Sequence, residues 1–167
     1  MAGEIGHIVL QSTGPRCRCG SRGCLEALAS GTAIARSAEE FAATSPRSPL
    51  GRRQRERGSL TAVDVGLVAA EGDAAARGII RKAGWYLGLG IGSLLNVLSV
   101  EIVIVGGGLT ALGDDYIGQA REAAAAHSYV QRLRPAPIVV GLLADTAGVI
   151  GAGVLALDLA RHRVNRP

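Results

Sequence analysis

The stretch Glu101-Ile102-Val103-Ile104-Val105-Gly106-Gly107-Gly108 decides how this chain is read. Its β-branched residues are apolar on both faces and predict a strand placed centrally in a sheet. Three glycines then end that strand. Glycine lets backbone N–H groups approach a phosphate, and a helix N-terminus that follows favours negative charge. Thr110, or an Asp of Asp114–Asp115, is placed to start such a helix, which runs to about His127. A second buried strand is expected over 138–143, then a small-residue helix from Thr146 to near the C-terminus. Gly151 and Gly153 would let this last helix pack closely in the core. Strand, helix, strand, helix is an α/β layered pattern.

Upstream, a long helix is expected after Gly72–Asp73, to about Leu98. Thr61 is placed to cap an amphipathic helix over 61–71. Residues 44–59 hold Pro46, Pro49, Gly51 and the run Arg52, Arg53, Arg55, Arg57, which predicts a surface excursion between helices. Residues 24–43 read as one Ala-rich helix with Leu25, Leu28, Ile34 and Phe41 as apolar positions. Residues 14–24 form a Gly/Pro/Arg/Cys loop, and residues 3–10 read as a strand or strand end.

A length of 167 residues fits one domain, and a hydrophobic share of 48% excludes a disordered chain. With 24 Gly and only five aromatics, the core is built from Ala, Val, Ile and Leu. The 18 basic and 14 acidic residues give +4, and every basic residue but Lys82 is Arg. That bias reflects base composition more than function. The run Arg52–Arg57 includes Gln54 and Glu56 and has no aromatic beside it, so it reads as a solvated loop and argues against a nucleic-acid partner. Residues 1–10 carry Glu4 and His7 without a basic n-region, so no secretory signal is expected. The stretch Trp85–Val100 is short for a bilayer span and contains glycines and Asn96, so a buried helix is expected and no membrane partner.

His7, Cys17, Cys19 and Cys24 give the spacing H-x9-C-x-C-x4-C. An odd number of clustered cysteines argues for metal or reactive thiols in a reducing compartment, hence a cytoplasmic location. Zinc favours four N/S ligands, and a Cys3His set closes a structural site. Gly20 and Gly23 allow the chain to fold sharply around an ion. The competing reading is three buried thiols and an unrelated histidine. Gly106, Gly108 and Ala111 also satisfy a loose G-x-G-x-x-A dinucleotide pattern. The acid expected about twenty residues on is missing, since no Asp or Glu occurs from Ala123 to Ala144, which argues against that binding mode.

Gly3-Glu4-Ile5-Gly6-His7, Cys17-Arg18-Cys19-Gly20 and Gly23-Cys24-Leu25-Glu26 together resemble the signature of the ROK family of bacterial sugar kinases and sugar-responsive repressors. The resemblance continues through Ala29-Ser30-Gly31, Gly72-Asp73, the Asn96 helix and Gly106-Gly107-Gly108-Leu109-Thr110. It implies a partial actin-like ATPase (ribonuclease H-like) C-terminal domain with a zinc-binding loop over 7–24 and a nucleotide-side strand-loop-helix over about 101–127. It implies a structural zinc on His7, Cys17, Cys19 and Cys24, sugar contacts from Glu4, His7 and Glu26, and an adenosine-side contact from Gly106, Gly107 and Gly108. A carboxylate accepts two hydroxyl hydrogen bonds and so suits a vicinal diol. The implied ligands are a hexose or N-acetylhexosamine, and ATP with Mg in the full-length protein.

The chain departs from the family in one respect. ROK kinases carry an N-terminal domain with a D-x-G-G-T phosphate loop and a catalytic Asp. No D-x-G-x-T occurs here, and no Asp precedes Asp64. No catalytic base is therefore assigned within this chain. Its lone Met1 reads as a start inside a longer frame, and 1–167 as a single, truncated domain. The reading is a C-terminal fragment of a glucokinase-like hexose kinase, inactive alone. The alternatives are the sugar-sensing portion of a ROK repressor and a non-catalytic zinc-stabilised remnant. An exposed apolar sheet edge is expected to drive association with another copy or with an N-terminal half.

Overall fold

The computed structural model describes residues 3–143 and 146–164; Met1 lies outside them. Helices α1 (Leu25–Ala29), α2 (Gly31–Thr44), α3 (Pro49–Arg57), α4 (Ala62–Ala70) and α5 (Ala74–Leu98) precede strand β1 (Val103–Val105). Helices α6 (Ile117–His127) and α7 (Tyr129–Leu133), strand β2 (Ile138–Val140) and helix α8 (Ala147–Val164) follow. The two strands pair in parallel, Val103 opposite Ile138 and Val105 opposite Val140.

Helix α5 is the spine. Its N-cap Asp73 accepts from the Ala76 amide at 2.8 Å, and its glycines form the face on which other elements seat. A Cβ at Gly84 or Gly88 would overlap the backbone carbonyl oxygens of Tyr116 and Ala120, so α6 lies directly on the α5 backbone. Gly90 receives the side chain of Leu25 from α1 in the same way. The main core joins Ile34, Leu50, Val65, Ile80 and Ile117. A second cluster, with Ile91, Leu95, Ala124 and Ile138, backs the inner face of the sheet. None of the described helices is long and apolar enough to cross a membrane.

The structure corrects several expectations. Residues 3–10 are not a strand: Ile5–His7 is a 3-10 turn, and only an isolated antiparallel bridge joins Val9 to Cys24. The expected helix over 24–43 is broken at Ser30, which takes extended backbone and caps α2 by accepting from the Ala33 amide. Residues 44–59 hold a helix: Ser48 caps α3 and Pro49 occupies its first turn, where the missing N–H costs nothing. The helix after the glycine run does not start at Thr110 or Asp114–Asp115: Gly108–Asp115 is 3-10, and α6 begins at Ile117. Among the described residues strand β1 is not central: its sheet has two strands, and Ile104, on its outer face, is 64% exposed. Parallel strands are normally covered on both faces. The last helix, α8, does not pack in the core.

Helices α3 and α4 are tied by Asp64. It is 1% exposed and accepts from Arg53 Nε at 3.0 Å and Arg57 Nε at 3.3 Å. It also completes a capping box with Thr61, as S/T-x-x-acid spacing permits. The Thr61 hydrogen bond, then the Arg53 and Arg57 guanidinium groups, outweigh desolvation and hold its carboxyl at about 2. A depressed folded-state pKa gives stability that is present above the unfolded value and lost as pH falls. Stability should therefore decline between about pH 4 and 2. Asp64→Ala is expected to cost about 2–3 kcal/mol at pH 7 and to flatten that acid limb in urea melts. An unchanged acid limb would deny Asp64 this role.

Candidate functional site

The loop over residues 7–24 is held by backbone bonds at its neck. Leu10 N donates to Gly23 O at 2.9 Å, Gly23 N to Pro15 O at 2.8 Å, and Leu25 N to Ile8 O at 2.9 Å. At the tip, Cys17 N donates to Ser21 O at 2.8 Å and Gly20 N to Cys17 O at 3.1 Å. Gly20 and Gly23 take φ of +97° and +65°, which L side chains rarely adopt. At Gly23 a Cβ would also overlap the Gln11 carbonyl oxygen.

This folding brings His7, Cys17, Cys19 and Cys24 together, with one donor atom from each within 4.8 Å of the others. Cys17 Sγ lies 3.7 Å from His7 Nδ1, and Cys19 Sγ lies 3.6 Å from Cys24 Sγ. Four thiolate and imidazole donors around zinc stand ~3.5–3.8 Å apart, given metal–ligand bonds of ~2.0–2.3 Å and tetrahedral angles. The donor set fits that ion, and these two pairs already stand at that spacing. Burial pushes Cys24 up to about 12. A hydrogen bond from the Ser21 backbone, helped by Cys17, holds Cys19 at about 7.

The three residues expected to touch sugar are gathered at the same place. Glu4 Oε2 is 3.9 Å from His7 Nε2, and Glu26 Oε2 is 3.8 Å from His7 Nδ1. Both side chains reach solvent, Glu4 at 61% and Glu26 at 44%. Gly6 sits against the Glu26 side chain, so the 3-10 turn and the first turn of α1 face each other. Cys24 is the N-cap residue of α1, so a metal on Cys24 would fix the position of Glu26 two residues later.

Gly106, Gly107 and Gly108 lie at the far end of the same scaffold. Gly107 takes φ +94° and its carbonyl accepts from Thr110 N and Oγ1 at 3.1 and 2.8 Å. A Cβ at Gly107 or Gly108 would meet open space, so the backbone there is accessible. Tyr116 Oη donates to Ala29 O at 2.9 Å, and Leu109 packs on Gly31. The segment from Cys24 to Gly31 thus carries a thiol of the cluster at one end and meets Leu109, the residue after the glycine turn, at the other.

Sequence reading missed an apolar cavity of about 660 Å³ beside this turn, walled by Val63, Leu67, Ile80, Leu109 and Leu112. Arg77 and Asp115, 3.9 Å apart, are its charged border. Such walls suit a planar ring. The lining follows no motif; its one signal is Gly66, where a Cβ would stand 2.8 Å from Leu112.

The model of the ROK family matches residues 1–159. The chain belongs to the ROK family. A glucokinase of Halalkalibacterium halodurans is 38% identical over 156 residues, which is 93% of this chain and 47% of that protein. A ROK family glucokinase from Streptomyces griseus, solved in complex with glucose and AMPPNP, superposes with a TM-score of 0.81 at 30% identity, over 93% of this chain and 51% of that one. A ROK family transcriptional regulator, a homologue of the Escherichia coli MLC protein, superposes with a TM-score of 0.71 at 27% identity, over 83% and 34%. The α/β architecture is therefore shared with part of these ROK proteins, glucokinase and regulator alike. This ROK chain spans about half the length of the curated glucokinase it matches.

Proposed function

We propose that this chain is the sugar- and adenosine-binding half of a glucokinase-like, ATP-dependent hexose kinase. The observation that carries the reading is the convergence of Glu4, His7 and Glu26 beside a four-donor thiol and imidazole cluster. Glu4 and Glu26 accept from neighbouring hydroxyls of a hexose or N-acetylhexosamine. His7 gives one ring nitrogen to the metal and keeps the other for a hydroxyl. Zinc on His7, Cys17, Cys19 and Cys24 supplies rigidity and no activated water, because four protein donors close its tetrahedron. The Gly106–Gly108 turn and the apolar cavity take the adenosine end of ATP, with Mg bound on the phosphates. The base that accepts the sugar's proton is not assigned here: Asp64, the first Asp of the chain, is buried under Arg53 and Arg57. The likeness to a ROK regulator favours a second reading, the sugar-sensing portion of a repressor, which uses the same pocket.

In thermal melts, glucose at about ten times its Kd is expected to raise Tm by about 3–6 °C. Glu26→Gln is expected to remove most of that rise with little change in the sugar-free Tm. If neither glucose, N-acetylglucosamine nor N-acetylmannosamine shifts the melt of a zinc-loaded chain, the sugar reading fails and a zinc-stabilised remnant takes its place. The chain alone is expected to form no sugar phosphate from ATP.

A further inference from the structure

A second cavity, of about 500 Å³, lies between α2, α5 and the stretch Gln11–Pro15. None of Glu4, His7, Glu26 or Gly106–Gly108 lines it, so the sugar and adenosine readings leave it unused. Ser37 and Phe41 stand one turn apart on α2, as Lys82 and Tyr86 do on α5, so each helix turns one face to the cavity. Part of the lining is apolar, from Leu28, Ile34, Phe41 and Ile79. Its volume falls in the range of small-molecule sites, and apolar walls with a few polar groups are their usual make-up.

The polar groups of the lining are mostly donors. Tyr86 Oη donates to Gln11 Oε1 at 2.8 Å, which occupies the Gln11 acceptor and leaves its NH2 group to donate. Thr13 and Ser37 add hydroxyls. Two cations line the cavity, and they differ. Arg36 is engaged: its Nη2 donates to Ala27 O at 2.7 Å, and its Nε faces Glu40 Oε1 at 3.6 Å. Lys82, the chain's one lysine, enters none of the ion pairs among the described residues. One uncompensated ammonium among donors, beside an apolar wall, suits a ligand with one anionic acceptor head and an apolar body. A carboxylate is such a head. A phosphate monoester carries nearly two charges at neutral pH and asks for a second free cation, where this cavity offers the Glu40 carboxylate.

We propose that this cavity binds a small organic carboxylate, with its head on Lys82 and its apolar body against Phe41 and Ile79. The site needs no sugar and stands apart from the reading of Glu4, His7 and Glu26. The probe is phenylbutyrate, titrated into the chain by calorimetry. Saturable binding is expected, weakened at least ~tenfold for the neutral phenylbutyramide and at least ~tenfold by Lys82→Met. Lys82 is exposed, so this variant should keep its urea melt, and Lys82→Arg should restore most of the affinity. The amides of Gln11 and Gly14, which bond to Gly23 O and Gln11 O, are expected to exchange at least ~threefold more slowly with probe bound. Glu26→Gln should leave phenylbutyrate binding unchanged while it removes the glucose shift, so the two readings fail separately. Absence of saturable binding overturns the proposal, as does equal affinity for the amide or an unaffected Lys82→Met. Protection at Leu109 and Leu112 in place of Gln11 and Gly14 would put the probe in the cavity bordered by Arg77 and overturn it too. Inorganic phosphate binding more tightly than phenylbutyrate would make this a phosphate site and overturn the carboxylate assignment.

Discussion

Replacing Cys24 by serine is expected to strip the metal from the chain and open the loop that places Glu26. Cys24 has no exposed surface, bridges to Val9, and stands 3.6 Å from Cys19. Serine preserves its size and removes the thiolate, so the change isolates the ligand from the packing. A structural zinc contributes its binding free energy to folding, ~10–16 kcal/mol in small finger peptides at pH 7. Here the loop hangs on a helical body with its own core, so only part of that sum is lost. We expect about 4–5 kcal/mol and a Tm lower by roughly 10–20 °C, with α2 to α6 still folded. The wild-type chain should carry about one zinc and the variant close to none. A chelator should bring the wild-type melt down to that of the variant. Cys24, held protonated by burial, must lose its proton when metal binds. Zinc uptake in weak buffer should therefore release protons, and affinity should fall as pH is lowered. A wild-type melt indifferent to chelator would leave three free thiols, of which only Cys17 and Cys24 are buried, and an unrelated histidine as the correct reading.

The cluster was legible because metal chemistry constrains residue type and spacing together. His7, Cys17, Cys19 and Cys24 could be grouped with no knowledge of the path between them, and the structure brings them within 4.8 Å. The Thr61 cap was legible for a similar reason, since its side chain acts within three residues. What was not legible depends on distant partners. The apolar run at β1 predicts cover on both faces, yet only one face has it within the described residues, because a strand's pattern does not say which chain supplies its neighbours. Gly151 and Gly153 were read as core packing for the same reason; the pattern is right for burial and silent on the burying body. Residues 3–10 end in the apolar run Ile8-Val9-Leu10 and read as a strand, but Gly3 at φ +89° and the 3-10 turn that follows redirect the chain toward Glu26. Helix α3 was masked by its arginines, although Ser48-Pro49 carries a good start signal.

Two alanine substitutions on one helix are expected to move stability in opposite directions. Intrinsic propensity alone makes Gly→Ala stabilising by ~0.5–1 kcal/mol anywhere inside α5. Gly78 is exposed and a Cβ there meets nothing within 4 Å, so Gly78→Ala should realise that gain. At Gly84 a Cβ would overlap the Tyr116 carbonyl oxygen, which is backbone and has no rotamer to retreat into. Helix α6 would have to move off α5 along its whole contact, because Gly88 meets Ala120 and Ala123 in the same way further along the helix. We expect Gly84→Ala to cost about 3 kcal/mol and roughly 6–12 °C in Tm, at the upper end for overpacking. The damage should also reach the glycine turn. Tyr116 donates to Ala29 O, and burial pushes its hydroxyl up to about 12, so it is held neutral as a donor. Moving Tyr116 breaks the tie between α6 and the segment that carries Glu26. Urea melts of the two variants check the signs, and equal effects would mean that propensity, not the α5–α6 approach, governs these glycines. Nucleotide-dependent stabilisation should fall in Gly84→Ala and persist in Gly78→Ala, because only the first displaces the wall that Leu109 and Leu112 give to the cavity.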